Sequence, residues 1–454
     1  MLKALGEIII ELSNLIWGAP ILILLLGGGF YFLLLSRLAP IKYIGHAIQI
    51  LRGKYDDPNE AGQLHHFQAL STALAGTVGM GNVSGVAIAI TMGGPGAIFW
   101  MWVSAVLGIS TKFFTCSLAV MYRGKDSAGE IQGGPMYVIT EGLGKKWKPM
   151  AVFFAVTTML GVLPLFQANQ LTQAIRDIFL DRNGVDVSFT TDLITGIVIA
   201  AIVALVILGG IKRIGNVTGR VVPFMVSIYI VTILYIIFSN IGEVIPSLIL
   251  IFEDAFTGQA VLGGSLGGVI ITGVRRAAFS NEAGIGTAPM AHGAAKTNEP
   301  IREGLVAMLG PIIDTIIICT MTALAIIITG VWKHSNSDGI TLTAEAFDQA
   351  IPYGSYLLTI CVSFFALSTM FAFPYYGSKC LSFVAGAHNQ KYYNYAVVVL
   401  VVLGAVVNLR VIVSFFDLAF ALMAFPTMIS AILLSGKVRQ ASKDYFRRLK
   451  NGQF

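Results

Sequence analysis

The residues best suited to chemistry lie at 73–85, ALAGTVGMGNVSG, where Gly76, Gly79, Gly81 and Gly85 crowd around Thr77 and Asn82. Glycine costs about 1 kcal/mol relative to alanine inside a helix, so this cluster predicts a break in an apolar run that is long enough to cross a bilayer. A break frees backbone groups. Carbonyls at Ala75, Thr77 and Val78 suit a hard cation that prefers oxygen, while the N–H groups around Gly79 and Gly81, at the start of a new helix, suit an anion such as a carboxylate. The competing reading is an unbroken helix whose small residues allow close packing. Asn82 either lends an amide oxygen to an ion or caps the helix that follows.

A second polar interruption runs from Thr272 through Gly273, Val274, Arg275 and Arg276 to Phe279, Ser280, Asn281 and Glu282. Its functional reading wraps the backbone of residues 272–276 around a ligand, with Phe279 as a gate. Charge at the centre of a membrane helix costs about 2.5–3.5 kcal/mol, so the two arginine side chains are expected to pair structurally with Glu282, Asp314 or Asp417. Gln167 and Gln170 stand three apart, on one helical face. Their amides can serve an amino and a carboxylate group without net charge, or bridge neighbouring helices. The adjacent hydroxyls of Ser368 and Thr369 can join the carbonyls of the first stretch around a sodium ion, or bond back to their own helix. Met370 either lines the same space or packs.

Other chemistries find no support. No GxxxxGK[ST] loop occurs and no GxGxxG follows a strand, which argues against direct ATP drive. No nucleophile–base or metal-ligand set converges, so neither an enzyme nor a cofactor is expected. Cys116, Cys319, Cys361 and Cys380 read as packed free thiols. His65 and His66 read as interfacial. A channel would show a polar stripe along several unbroken spans, whereas the polar residues here gather on two interrupted ones.

The elements that must hold these residues are membrane helices. The chain has 454 residues, of which 56% are hydrophobic and 12% charged, and a mean hydropathy of +0.77. That composition belongs to an all-α polytopic membrane protein. Apolar stretches fall at roughly 15–35, 67–92, 95–122, 150–175, 190–209, 217–238, 260–290, 304–330, 352–373, 393–409 and 412–435, eleven in all. Alternating the loops leaves only Lys3, Arg176, Arg182, Lys333 and Arg410 on one side, with Lys112, Arg275 and Arg276 inside spans and the rest of the 30 basic residues on the other. The positive-inside rule then places the C-terminus in the cytoplasm and the N-terminus outside, in the cell membrane. This placement also explains the net charge of +6 without a nucleic-acid partner.

Setting the first span aside leaves ten. Two groups of five enter the membrane in opposite directions, each opening with a glycine-interrupted span, which points to a transporter site at the midplane. The expected layout is one transporter domain over 1–454: an extra helix and linker at 1–60, a first repeat at 61–240, a second at 241–436 and a cytoplasmic tail at 437–454. Proton coupling would require a titratable carboxylate at the site, for which Glu282, Asp314 and Asp417 are the candidates.

The runs GTVGMGNVSGVAIAITMGGPGAIFWMW, GEIQGGPMYVI and GVRRAAFSNEAGIGTAP together resemble the alanine/glycine:cation symporter family, over nearly the whole chain. That family is similar in fold to the sodium-coupled leucine transporters, with ten core helices in two inverted five-helix repeats. The resemblance implies symport of Na⁺ with L-alanine, and in some members D-alanine or glycine. It implies a substrate carboxylate at Thr77 and Gly79, with Gln170 and the residues Gly273, Val274, Arg275 and Arg276 completing the pocket. One sodium would lie between Ala75, Val78, Phe365, Ser368 and Thr369. A second is suggested at Thr77, Asn82 and Thr272.

Overall fold

A computed structural model describes every residue except Met1, Pro58 and the stretch 258–265, so Gly263 and Gly264, at the expected opening of the seventh span, lie outside the described residues. The chain is overwhelmingly helical, as its apolar runs demand. In hydrocarbon an unpartnered N–H or C=O costs several kcal/mol, and a helix satisfies these groups internally.

Two N-terminal helices, α1 (Leu2–Ile16) and α2 (Ala19–Leu35), meet at 50°. The bend falls at Trp17 and Gly18, just before Pro20, which sits where its missing N–H is not needed. The short α3 (Ile44–Leu51) leads to α4 (His66–Thr77) and α5 (Met80–Gly93), one span broken in two, and then to the unbroken α6 (Gly96–Met121). A small hairpin pairs β1 (Gly124–Lys125) with β2 (Ile131–Gln132). α7 (Lys148–Gly161) and α8 (Leu165–Ala174) part at Pro164, and α9 (Phe189–Ile207) and α10 (Gly210–Ser239) close the first half.

The second half holds α11 (Ile241–Thr257), the broken pair α12 (Leu266–Asn281) and α13 (Thr287–His292), then α14 (Pro300–Thr329), α15 (Gly339–Ala350), α16 (Gly354–Ala385), α17 (Gln390–Val406) and α18 (Leu409–Lys450). Among the described residues eight helices are long and apolar enough to cross a membrane, or nine if the bent α1–α2 pair is one span. The expected spans at 260–290 and 393–409 are met by shorter helices of 16 and 17 residues, so length and hydropathy do not reproduce the count of eleven.

The expected layout lacked α11 and α15, besides the short α3. α11 is amphipathic, and the Asp254 carboxylate on it accepts a 2.7 Å hydrogen bond from the Gly96 N–H, at the positive end of α6. α15 lies at the end of the bundle reached by the C-terminus of α8, as described below. At the opposite end, α18 continues past the membrane and docks on α3. Tyr43 stacks on Phe446 at 4.0 Å between ring centroids, His46 Nε2 lies 2.8 Å from the Tyr445 hydroxyl, and Arg448 holds both oxygens of Glu299 at 2.7 and 2.9 Å.

Burial separates the centre from the lipid-facing rim. The apolar window of α4–α5 is 100% buried within the protein, against 28% for α9. The broken span therefore sits where irregular backbone is tolerated, surrounded by partners rather than lipid. Glycine brings the neighbouring helices close. A Cβ on Gly304 of α14 would stand 2.1 Å from Ser117 Oγ on α6.

Candidate functional site

The first break is two residues long. Val78 is extended (φ −74°, ψ 95°) and Gly79 adopts φ −163°, ψ −143°, so the α4 ladder stops at Thr77 and α5 restarts at Met80. Asn82 caps the restart: its Oδ1 accepts from the Gly79 N–H at 2.9 Å. The N–H groups of Met80 and Gly81 open the first turn of α5, where no intrahelical acceptor exists. The Thr77 hydroxyl turns back to Ala73 O at 3.2 Å.

α16 brings its hydroxyls to this break. Thr369 Oγ1 lies 3.0 Å from Ala75 O and 3.2 Å from Phe365 O, and Ser368 Oγ lies 2.9 Å from Phe365 O. A Cβ on Gly79 would stand 2.6 Å from Thr369 Oγ1 and 3.6 Å from Phe365 O. Ala75, Phe365, Ser368 and Thr369, two helices and almost 300 residues apart in sequence, thus meet around one set of oxygens, with the buried Val78 beside them in the break. Carbonyl and hydroxyl oxygens without net charge suit a weakly held monovalent cation. Met370, the next residue on α16, is completely buried.

Asn82 also leads to a second polar cluster. Its Nδ2 donates to Asp314 Oδ1 at 2.7 Å and to the Asp314 carbonyl at 3.0 Å, and lies 3.3 Å from both Ser280 Oγ and Cys319 Sγ. Ser280 Oγ and Thr315 Oγ1 donate to Asp314 Oδ2 at 2.6 and 2.8 Å. Asp314 lies on a π-helical stretch, Ile312–Cys319, a geometry that widens the helix and often marks functional sites. Lys112 of α6 is buried and lies under the influence of the Glu282 and Asp314 carboxyl groups.

Thr272 stands elsewhere. It packs against Gly93, eleven residues and about 16 Å along α5 from Asn82. The backbone of 272–276 belongs to a continuous helix, and Gly273 makes the close approach between α12 and α6, where a Cβ would meet Ala97 O at 2.5 Å. The irregular backbone of this span lies further on, at 282–286, where Glu282, Gly284 and Gly286 take φ of 54°, 86° and 111°. The motif NEAGIG carried that signal, because two glycines one residue apart readily supply positive φ.

Arg276 Nη2 lies 2.5 Å from each oxygen of Asp417, and Arg275 reaches Asp417 Oδ2 at 3.7 Å and Asn14 Oδ1 at 3.3 Å. The arginines therefore serve α12–α18 packing, which was their expected structural role. Val274, just before them, is fully buried in the core. Phe279 wedges against Gly81, 3.3 Å from where its Cβ would be, and closes an aromatic group with Phe166, Phe416 and Phe420.

Gln170 is completely buried. Its Oε1 accepts from the Ile340 N–H at 3.2 Å, at the start of α15, and its Nε2 lies 2.7 Å from Gln173 Oε1 and 3.3 Å from Asn169 Oδ1. Gln167, on the same face, keeps a buried Oε1 with no partner among the described residues.

The chain matches the Sodium:alanine symporter family over residues 2–454. It is 41% identical over 447 residues to the sodium/alanine symporter AgcS of Methanococcus maripaludis, with 97% of each chain covered. It is 33% identical over 470 residues to YrbD of Bacillus subtilis, described as a putative sodium/proton-dependent alanine carrier protein, across 99% of this chain and 94% of that one. Among solved structures, MhsT in complex with L-phenylalanine is similar with a TM-score of 0.59 at 15% identity, covering 85% of this chain and 93% of MhsT. At that identity the likeness speaks for the fold alone, which is the leucine-transporter type with a broken first helix in each inverted repeat. A transporter family of this kind carries out no enzymatic reaction, and symport of amino acids across a membrane is its activity. The chain belongs to the sodium:alanine symporter family.

Proposed function

We propose that this chain couples the inward flow of Na⁺ to uptake of a small neutral amino acid, L-alanine and also D-alanine or glycine, by alternating access. The observation that carries it is the meeting of Ala75 O, Phe365 O and Thr369 Oγ1 at the break in α4–α5. A sodium ion binds there, with Val78 O and Ser368 Oγ as further ligands. The substrate carboxylate binds at the start of α5, beside Gly79 and Gly81, with Thr77 next to it. Phe279 lies over it, and Met370 and Gln170 line the space around it. Gly273, Val274, Arg275 and Arg276 hold Phe279 in position rather than touching substrate. The names of AgcS and YrbD, both tied to alanine and sodium, support this substrate class.

The Asp314 cluster takes the second cation. Asn82, Ser280 and Asp314 occupy the place expected for Thr77, Asn82 and Thr272. Their carboxyl group, with Glu282 and Lys112 nearby, takes either Na⁺ or a proton. The description of YrbD as sodium/proton-dependent favours keeping both. The protein sits in the cell membrane with its N-terminus outside and the basic tail in the cytoplasm, and its repeats span 61–240 and 241–436.

Radiolabelled alanine uptake into proteoliposomes, with sodium and proton gradients imposed separately, tests this. A sodium gradient alone should drive accumulation. Uptake driven by protons with no sodium requirement would sink the assignment of the first site. Asp314→Asn should remove one coupling ion and lower the Hill coefficient for sodium towards 1; an unchanged sodium dependence with an unchanged proton effect would take Asp314 out of the scheme.

A further inference from the structure

We propose that the cavity between the hairpin and the end of α16 is a second binding site, which takes an α-amino acid as its zwitterion on the face of the protein that the loop charges put in the cytoplasm. Alanine as the occupant rests on the transport reading. A zwitterion as the class rests on the charges of the cavity.

The cavity holds about 470 Å³, within the range of about 300–1,000 Å³ usual for small-molecule sites. It is separate from the break in α4–α5. Lys379, on its wall, follows Thr369 by ten residues, about 15 Å along α16.

The hairpin wall supplies acceptors. Asp126 Oδ1 takes the Ala128 and Glu130 N–H groups at 2.9 and 3.1 Å, and its Oδ2 takes Gln132 Nε2 at 2.8 Å. A carboxylate accepts in about four directions, so this one is held in place with a direction to spare. Glu130 and Gln132 belong to the motif GEIQGGPMYVI, which the transport site does not use.

The facing wall comes from α16 and α17. Lys379 Nζ lies 5.5 Å from the centre of the Tyr375 ring, under the influence of Asp126 and Glu130, yet it makes no ion pair with a described carboxylate. Asn394 Oδ1 is buried and has no partner among the described residues. Ile207 and Ile214 add an apolar patch. The walls keep a set spacing, because the Ala387 N–H donates to Ser127 Oγ at 2.8 Å from one to the other.

Charges of both signs select the occupant. A bare anion drawn to Lys379 meets Asp126 and Glu130, and a bare cation drawn to those meets Lys379 and Lys391. An amino acid answers both. Its carboxylate accepts from Lys379 Nζ, and its ammonium, with three donors, gives to Asn394 Oδ1 and Asp126 Oδ2. A small side chain then lies on the isoleucines.

A local probe tests this. The four native cysteines are buried, so a fluorophore on Gln390→Cys, on the cavity wall, reports from there. In sodium-free buffer the transport site lacks its coupling ion, which isolates the second site. L-alanine should change the emission saturably. Propionate, which lacks the ammonium, and alaninamide, which lacks the carboxylate, should need about tenfold more or fail. Lys379→Met and Asn394→Leu should each raise the half-saturating alanine concentration about 10- to 100-fold, the loss of one charge-assisted bond, while Lys379→Arg should stay close to the parent. No saturable response in the parent, or one that both substitutions leave unmoved, would overturn the site. Propionate acting as well as alanine would overturn the zwitterion. A Lys379-dependent response in a protein that takes up no alanine with sodium would keep this site and sink the transport reading.

Discussion

Replacing Gly79 by alanine puts a methyl carbon 2.6 Å from Thr369 Oγ1 and 3.6 Å from Phe365 O. The second distance is ordinary contact; the first is not. Thr369 can escape only by turning about χ1, which breaks its bonds to Ala75 O at 3.0 Å and Phe365 O at 3.2 Å and withdraws its oxygen from the proposed sodium. Overpacking a close-packed site costs about 1–3 kcal/mol, which corresponds to about a 5- to 150-fold rise in the sodium concentration for half-maximal binding. The same geometry predicts rescue. Thr369 Cβ lies 3.8 Å from the added methyl, so in a Thr369→Ala background the new carbon meets no obstacle. There Gly79→Ala should cost less than about 0.5 kcal/mol beyond Thr369→Ala itself, as coupled neighbours are non-additive. Sodium titrations by calorimetry on the four proteins of this cycle decide it. Strict additivity, or a Gly79→Ala protein that binds sodium as the parent does, would refute the placement of Thr369 at the ion.

Three further outcomes follow from the geometry. Arg276→Gln should destabilise the protein by about 3–5 kcal/mol in thermal unfolding by stranding the buried Asp417, and Arg276→Met with Asp417→Leu should recover most of it. Gln170→Ala removes the acceptor for the Ile340 N–H and should cost about 1–3 kcal/mol of stability while weakening alanine binding; unchanged affinity with reduced stability would assign Gln170 to α15 docking alone. Burial, with Arg302 and Lys54 nearby, holds the His46 imidazole below its ordinary 6.5. A depressed folded value means that the unfolded state binds the extra proton first, so the docking of the tail on α3 is complete above about pH 6.5 and is lost as pH falls through the folded value. Hydrogen exchange at 437–450 should therefore quicken on acidification, and His46→Gln should flatten that response.

The sequence made the first break legible because its signal is local: glycines next to Thr77 and Asn82 leave a helix little reason to continue. It also limited Arg276 to three carboxylate partners, of which Asp417 is the one used. The second break was expected too early, at the conspicuous arginines, since charge in an apolar run draws attention while the positive φ at Glu282 and Gly284 depends on tertiary support. Asp314 was seen as a possible arginine partner or a titratable candidate but not beside Asn82, because nothing in spacing brings it to that residue, 232 positions away. His66 looked interfacial for the same reason: its partner Glu303 is 237 residues distant. Amphipathic α11, 17 residues long and carrying Glu243, Glu253 and Asp254, and the short α15 do not register beside membrane spans, yet one caps α6 and the other seats Gln170.

The bond from Trp17 Nε1 to the Asp417 carbonyl, 2.8 Å long, joins residues 400 positions apart. It has a consequence for biosynthesis. At about 5–20 residues per second, the ribosome needs roughly 20–80 s after making Trp17 before its acceptor exists. Through that interval the Trp17 indole N–H has yet to meet its acceptor, and α18 completes the packing around the α1–α2 bend only once it is made. A chain stalled before α18 would leave the Trp17 N–H without the acceptor that α18 supplies.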